Sequence, residues 1–70
     1  MKNENNLIKA TVEEALPALN FRVVTESGEH VLAHLAGRLR LHRIRVVAGD
    51  TVLIELSPYD SKRGRIVRRF

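Results

Sequence analysis

The stretch that decides the fold is AGRLRLHRIRVVAGD, Ala36 to Asp50. Neither regular period survives across it. Read as a strand, Leu39 and Leu41 share one parity while Ile44 and Val46 share the other, so the phase breaks near His42. Read as a helix, Arg38 and Arg45 fall together and Arg40 and Arg43 fall roughly opposite. The aliphatics make no stripe wide enough for a long amphipathic helix. The pattern predicts a short helical turn after Gly37, then an extended segment from about Ile44. Such a stretch is a connector, and the sequence on either side says what it connects.

On both sides the period is two. In LIKATVEE (7–14), Ile8, Ala10 and Val12 alternate with Lys9, Thr11 and Glu13. In FRVVTE (21–26), Phe21 and Val23 flank Arg22, and in HVLAHL (30–35), Val31, Ala33 and Leu35 alternate with His30, Leu32 and His34. After the connector, TVLIEL (51–56) alternates Val52, Ile54 and Leu56 with Thr51, Leu53 and Glu55. RIVRRF (65–70) sets Ile66, Arg68 and Phe70 against Arg65, Val67 and Arg69. Ser27-Gly28 and Ala48-Gly49-Asp50 are turn signals, and SPYDSKRG (57–64) reads as a loop. Pro17 falls between the first two strands, where its missing N–H does no harm.

The result is five strands of about six residues each. In 70 residues they cannot form a two-sheet sandwich with a useful core, whereas closing the sheet removes its exposed edges. A five-stranded barrel with a helical insertion between strands three and four is the OB architecture. The rival SH3-like barrel usually lacks a connection as long as 36–50. The expected fold is therefore all-β, a five-stranded OB-fold barrel with a short helical turn between strands 3 and 4. Residues 7–70 are expected to form this single domain, and the polar MKNENN (1–6) a flexible N-terminal tail.

Charge gives the first pointer to a partner. The net charge is +4. Residues 1–35 carry three bases against five acids, and residues 36–70 carry nine bases against three acids. A basic half points to a polyanion. Nine of the twelve bases are arginine, whose planar fork suits bidentate contacts to phosphate and base edges. There is no cysteine, hence no disulfide or thiolate metal site, which fits a reducing compartment. No apolar run is long enough for a signal peptide or a membrane span, so the expectation is a cytoplasmic protein with no membrane partner.

Four segments then become specific: LPALNFRV (16–23), ESGEHVLAHLAGRLR (26–40), IRVVAGDTVLIELSPYD (44–60) and KRGRIVRR (62–69). In that order and register they resemble bacterial translation initiation factor one, over about Leu7 to Arg69. The resemblance implies a single OB barrel that binds the small ribosomal subunit at the A site, in the decoding region of 16S rRNA beside a neighbouring ribosomal protein. It implies exclusion of tRNA from that site, cooperation with initiation factors two and three, and no enzymatic activity. A monomer is expected. The chain departs from the usual pattern at Ala10, Leu41, His42, Arg43 and Arg68. Arg68 stands where an aromatic is frequent.

The candidate rRNA-binding residues fall into groups. Arg38, Arg40, Arg43 and Arg45 make the connector basic, while Leu39 and Leu41 are expected to pack it on the barrel. Lys62, Arg63, Arg65, Arg68 and Arg69 form a second cluster; simple alternation puts Arg65 and Arg69 on one face and points Arg68 the other way, as a rim contact or simply surface. Arg65 and Arg69 match positions of the family. Arg22, inside FRV, either joins this cluster across the sheet or is an ordinary exposed arginine. Tyr59 either stacks a base or packs over the barrel end. Phe21 belongs to the core. His34 stands in the family's AH position and has a possible phosphate-facing role. His30 and His34, four apart on a strand, are roughly 13 Å apart and cannot share one metal ion. Glu13 and Glu14, adjacent on a strand, are expected on opposite faces and cannot work as paired catalytic carboxylates. No Gly-rich phosphate loop or nucleophile motif is present, so no catalytic residue, cofactor or metal is expected. The alternative function is a general RNA chaperone of cold-shock type. That reading needs an aromatic platform on strands two and three, which here carry only Phe21.

Overall fold

The computed structural model of the chain describes residues 7–42 and 45–70, leaving aside the side chain of Arg38. The expected tail (1–6), Arg43, the start of the extended segment at Ile44 and the Arg38 side chain lie outside the described residues.

The strands are β1 (Leu7–Leu16), β2 (Asn20–Thr25), β3 (His30–Leu35), β4 (Thr51–Leu56) and β5 (Arg63–Arg69). One short helix, α1 (Gly37–Leu41), lies between β3 and β4. The strands close in the order β1-β2-β3-β5-β4, with β4 returning to β1. All neighbours are antiparallel except β3 and β5. That parallel pair is possible because the connector and β4 intervene in sequence, and it gives the barrel its OB topology.

Alternation selects the core. Val12, Val23, Val31, Val52, Ile54 and Ile66 are fully buried, and Phe21 and Leu35 nearly so. Burying each such side chain is worth about 1.5–3 kcal/mol relative to exposure, the main favourable term in a barrel this small. The connector adds Val46 to the core and packs Leu39 against it. Leu41 departs from expectation: it is 77% exposed and does not pack on the barrel. With α1 only five residues long, Leu39 takes the inward position and Leu41, two residues on, is rotated about 200° away.

The Ser27-Gly28 hairpin forms as expected, with Gly28 at φ +92°. Thr25, buried at its base, shares a hydrogen bond with the Ser27 hydroxyl at 2.9 Å, and its Oγ1 accepts one from the Glu29 N–H at 3.2 Å.

Two bulges interrupt the alternation. On β1, Val12 pairs with Val23 and Glu14 with Arg22, which leaves Glu13 as an extra residue. Both glutamates are consequently exposed, not set on opposite faces. Glu14 pairs with Arg22 at 3.0 Å and Glu13 with His30 at 3.0 Å. On β5, Arg68 pairs with Leu53 and Ile66 with Ile54, which leaves Val67 as the extra residue. The parity after Val67 is thus reversed. Arg68 follows Leu53 and Arg65 to the outside, while Arg69 lies opposite the inward Val52 at the barrel end. This corrects the placement of Arg65 and Arg69 on one strand face.

Candidate nucleic-acid interface

The outer face of β2-β3-β5 collects functional side chains by register. Arg22, Leu32 and Arg63 stand side by side across the three strands. The next row is Asn20, His34, Arg65 and Glu55. With Leu56, Ser57, Pro58 and Gly64, most of these line an open groove on the barrel surface. Its apolar residues suit a flat ring, and its polar groups include two guanidiniums, an imidazole, an amide and the Glu55 carboxylate. That combination fits a nucleotide, whose base is apolar on its faces and whose phosphate is anionic.

Gly64 sets how closely β4 and β5 approach beside the groove. A Cβ there would lie 3.0 Å from the Glu55 carbonyl oxygen, so glycine lets β4 and β5 approach this closely without displacing backbone. The two groove arginines are held by carboxylates. Arg65 donates to Glu55 Oε1 across the β4-β5 ladder, and the Arg63 Nε lies 3.6 Å from Asp60 Oδ2. These are exposed pairs of small net stability, so their effect is to orient the guanidiniums. Arg22 shares the outer face, across β3 from Arg63, but is engaged with Glu14.

The β4-β5 loop rises beside the groove. Asp60 Oδ1 accepts from the Lys62 N–H at 2.9 Å, and the Ser57 hydroxyl accepts from the Tyr59 N–H at 3.1 Å. These side-chain-to-backbone bonds fix the turn locally. They leave Tyr59 94% exposed, which rules out packing over the barrel end and leaves the ring available for stacking. Lys62 is exposed in the same loop.

The connector forms a separate basic element. Ala36 donates its N–H to the Ile66 carbonyl, and α1 lies against β5. Arg40 is exposed on α1, and Arg45 is exposed beyond it. Asp50 Oδ2 accepts from the Val47 N–H at 3.0 Å, and Arg69 donates from Nη1 to the Arg45 carbonyl at 3.1 Å. Arg69 is therefore turned toward the connector and away from the groove.

The structure thus brings His34, Arg63 and Arg65 together, with Tyr59 and Lys62 in the flanking loop. Arg40 and Arg45 lie on the connector, Arg22 one strand away, and Arg69 at the barrel end. Sequence reasoning missed Asn20, Glu55 and Pro58 as groove residues. Glu55 carried a signal, since alternation already put it outside on a strand next to a basic one. It also missed the pairing of Lys9 with Phe70, where Nζ lies 5.4 Å from the ring centroid. Among the described residues no helix is long and apolar enough to cross a membrane.

Comparison with known proteins agrees with this architecture. The family model described as translation initiation factor 1A / IF-1 matches residues 1–70. The solution structure of translation initiation factor one from the Wolbachia endosymbiont strain TRS of Brugia malayi is 39% identical with a TM-score of 0.75. The match covers 91% of this chain and 76% of that one. The crystal structure of YjeQ from Thermotoga maritima is 25% identical with a TM-score of 0.73; 91% of this chain is covered but only 22% of that one, so the likeness is to one part of a larger protein. The family match along the whole chain, on a closed barrel of the same topology, makes the protein a member of the translation initiation factor 1A / IF-1 family, with a role in protein biosynthesis.

Proposed function

We propose that this initiation factor occupies the A site of the small ribosomal subunit, in the decoding region of its 16S rRNA and beside a neighbouring ribosomal protein. It acts there as a monomer, in the cytoplasm, through the single domain 7–70. By filling that space it blocks tRNA, and it cooperates with initiation factors two and three on the same subunit. It does so by occupancy, without catalysis.

The observation that carries this reading is the gathering of His34, Arg63 and Arg65 on one groove, between the Tyr59 loop and the basic connector. In this reading Arg38, Arg40, Arg43 and Arg45 neutralise rRNA phosphates from the connector, and Lys62, Arg63 and Arg65 do so from the loop and β5. Tyr59 offers a stacking face, His34 a hydrogen bond at the groove, and Arg22 a contact at the edge of the face. The irregular backbone of the connector lets its arginines follow an RNA surface that a straight strand would meet at one point only. A general RNA chaperone has less support, because the outward positions of β2 and β3 are Asn20, Arg22, Val24, His30, Leu32 and His34, with no aromatic among them.

Arg45→Ala and Arg65→Ala are each expected to weaken binding to purified small subunits about tenfold, the scale of one lost charge-assisted hydrogen bond. Glu26→Ala, on the β2-β3 hairpin, is expected to leave affinity unchanged. Equal affinities for all three variants, with unchanged thermal unfolding, would remove the site assignment.

A further inference from the structure

Two adjacent arginines end β5, and the bulge at Val67 sends them to different places. Arg68 faces outward opposite Leu53, in line with Arg65 and Arg63 along the same strand. Two strand residues advance about 6.6 Å, so this line carries one guanidinium per such step. That is comparable to the separation of successive phosphates along an extended strand of nucleic acid. The line runs from the Tyr59 loop at one end to the end of the connector at the other, where Phe70 donates its N–H to the Thr51 carbonyl. Its neighbours include both signs of charge. Asp60 faces Arg63, and Glu55 and His34 face Arg65. Lys9 stands across β4 from Arg68, beyond Leu53. Among the described residues no carboxylate lies within 4.0 Å of Arg68, so its charge is the least compensated in the line.

Arg69 is placed differently. Its Nη1 donates to the Arg45 carbonyl at 3.1 Å and lies 3.8 Å from Asp50 Oδ2. The same carboxylate oxygen accepts from the Val47 N–H at 3.0 Å. One guanidinium thereby ties together the start and the end of segment 45–50, the part of the connector that presents Arg45.

We propose that the Val67 bulge divides the work of these two arginines. Arg68 completes an outward row, Arg63–Arg65–Arg68, that binds the phosphate backbone of a single RNA strand. Arg69 is a positioning residue that holds the connector so that Arg45 meets the RNA. The proposal rests on the reading of this barrel as an rRNA-binding factor. It adds a contact at Arg68 and replaces a direct role for Arg69 with an indirect one.

The test compares Arg68→Gln with Arg69→Gln, which remove the same charge one residue apart. Binding of the full chain to purified small subunits is followed across a salt series, in the Arg45 and Arg45→Ala backgrounds, and amide exchange is followed in the free protein. Arg68→Gln is expected to weaken binding several-fold and to flatten the slope of log K against log salt by about 0.7, the single-strand value for one phosphate. Arg68→Lys restores most of that slope, the effect adds to that of Arg45→Ala, and exchange is unchanged. Arg69→Gln is expected to speed exchange of the Val47 amide in the free protein. It weakens binding when Arg45 is present and changes it little in the Arg45→Ala background. Arg69→Lys, which keeps the charge without the planar fork, serves the same comparison if Arg69→Gln lowers the folded population.

Wild-type affinity and slope for Arg68→Gln would overturn the row. Unchanged Val47 exchange, or an Arg69→Gln loss that adds fully to Arg45→Ala, would overturn the clasp. If Arg45→Ala alone has no effect on binding, the rRNA-binding reading fails first, while the exchange result still decides whether Arg69 orders the connector.

Discussion

Gly64 shows how one residue fixes both the fold and the site. It pairs with Ala33 on one side and Leu56 on the other, and any side chain would press on the Glu55 carbonyl. Gly64→Ala is expected to destabilise the barrel by about 1–3 kcal/mol, the cost of overpacking where backbone is the obstacle. A urea unfolding midpoint equal to wild type would contradict the close approach. The turn from β1 to β2 makes the opposite case. Ala18 and Leu19 both hold left-handed backbone, at φ +62° and +60°, a conformation that costs a non-glycine residue roughly 1–2 kcal/mol. Ala18→Gly relieves that strain but frees the unfolded chain, so a net gain of up to about 1 kcal/mol is expected in the same measurement. A loss of stability would mean that the added freedom of the unfolded chain outweighs the relief of strain.

Among the elements, the connector depends on a few contacts. Leu39 packs on the core, Val46 enters it, and Asp50 and Arg69 secure the far end. Leu39→Ala is therefore expected to cost about 2 kcal/mol, the lower end of the range for losing a leucine from a packed site. Leu41→Ala is expected to stay within about 0.5 kcal/mol, as for an ordinary surface change. Equal losses at both positions, read by urea denaturation, would mean that α1 packs through both leucines. These elements also show what the sequence made legible. β3 and β4 have the bounds that alternation predicts, because a barrel strand has one wet face and one dry face and every residue declares its side. The helical turn after Gly37 was legible for the converse reason, since neither period fits there. The bulges were not legible. At Glu13-Glu14 both residues are acidic, and in Ile66-Val67-Arg68-Arg69 an apolar pair meets a basic pair, so an inserted residue leaves the composition of each face ambiguous. The Arg69 clasp follows from that second bulge and was hidden with it. The groove was half visible: its arginines stood out by charge and His34 by the family's AH position, whereas Asn20 and Pro58 join it only because the barrel closes.

At the scale of the whole molecule, a barrel with extents of 30 × 25 × 21 Å carries an excess of positive charge on its second half. Closure explains how that half is arranged. β5 inserts between β3 and β4, with the loop that precedes it at one end of the strand and the connector against its other end. Residues far apart in sequence, such as His34 and Arg65, then stand side by side. The most direct test of the central claim is equilibrium binding to purified small ribosomal subunits against an equal mass of generic single-stranded RNA, with chemical footprinting of the complex. The account predicts one-to-one binding that survives the competitor, with protections confined to the decoding region. Weak binding abolished by the competitor, or protections scattered over the subunit, would contradict it and favour a general RNA-binding barrel.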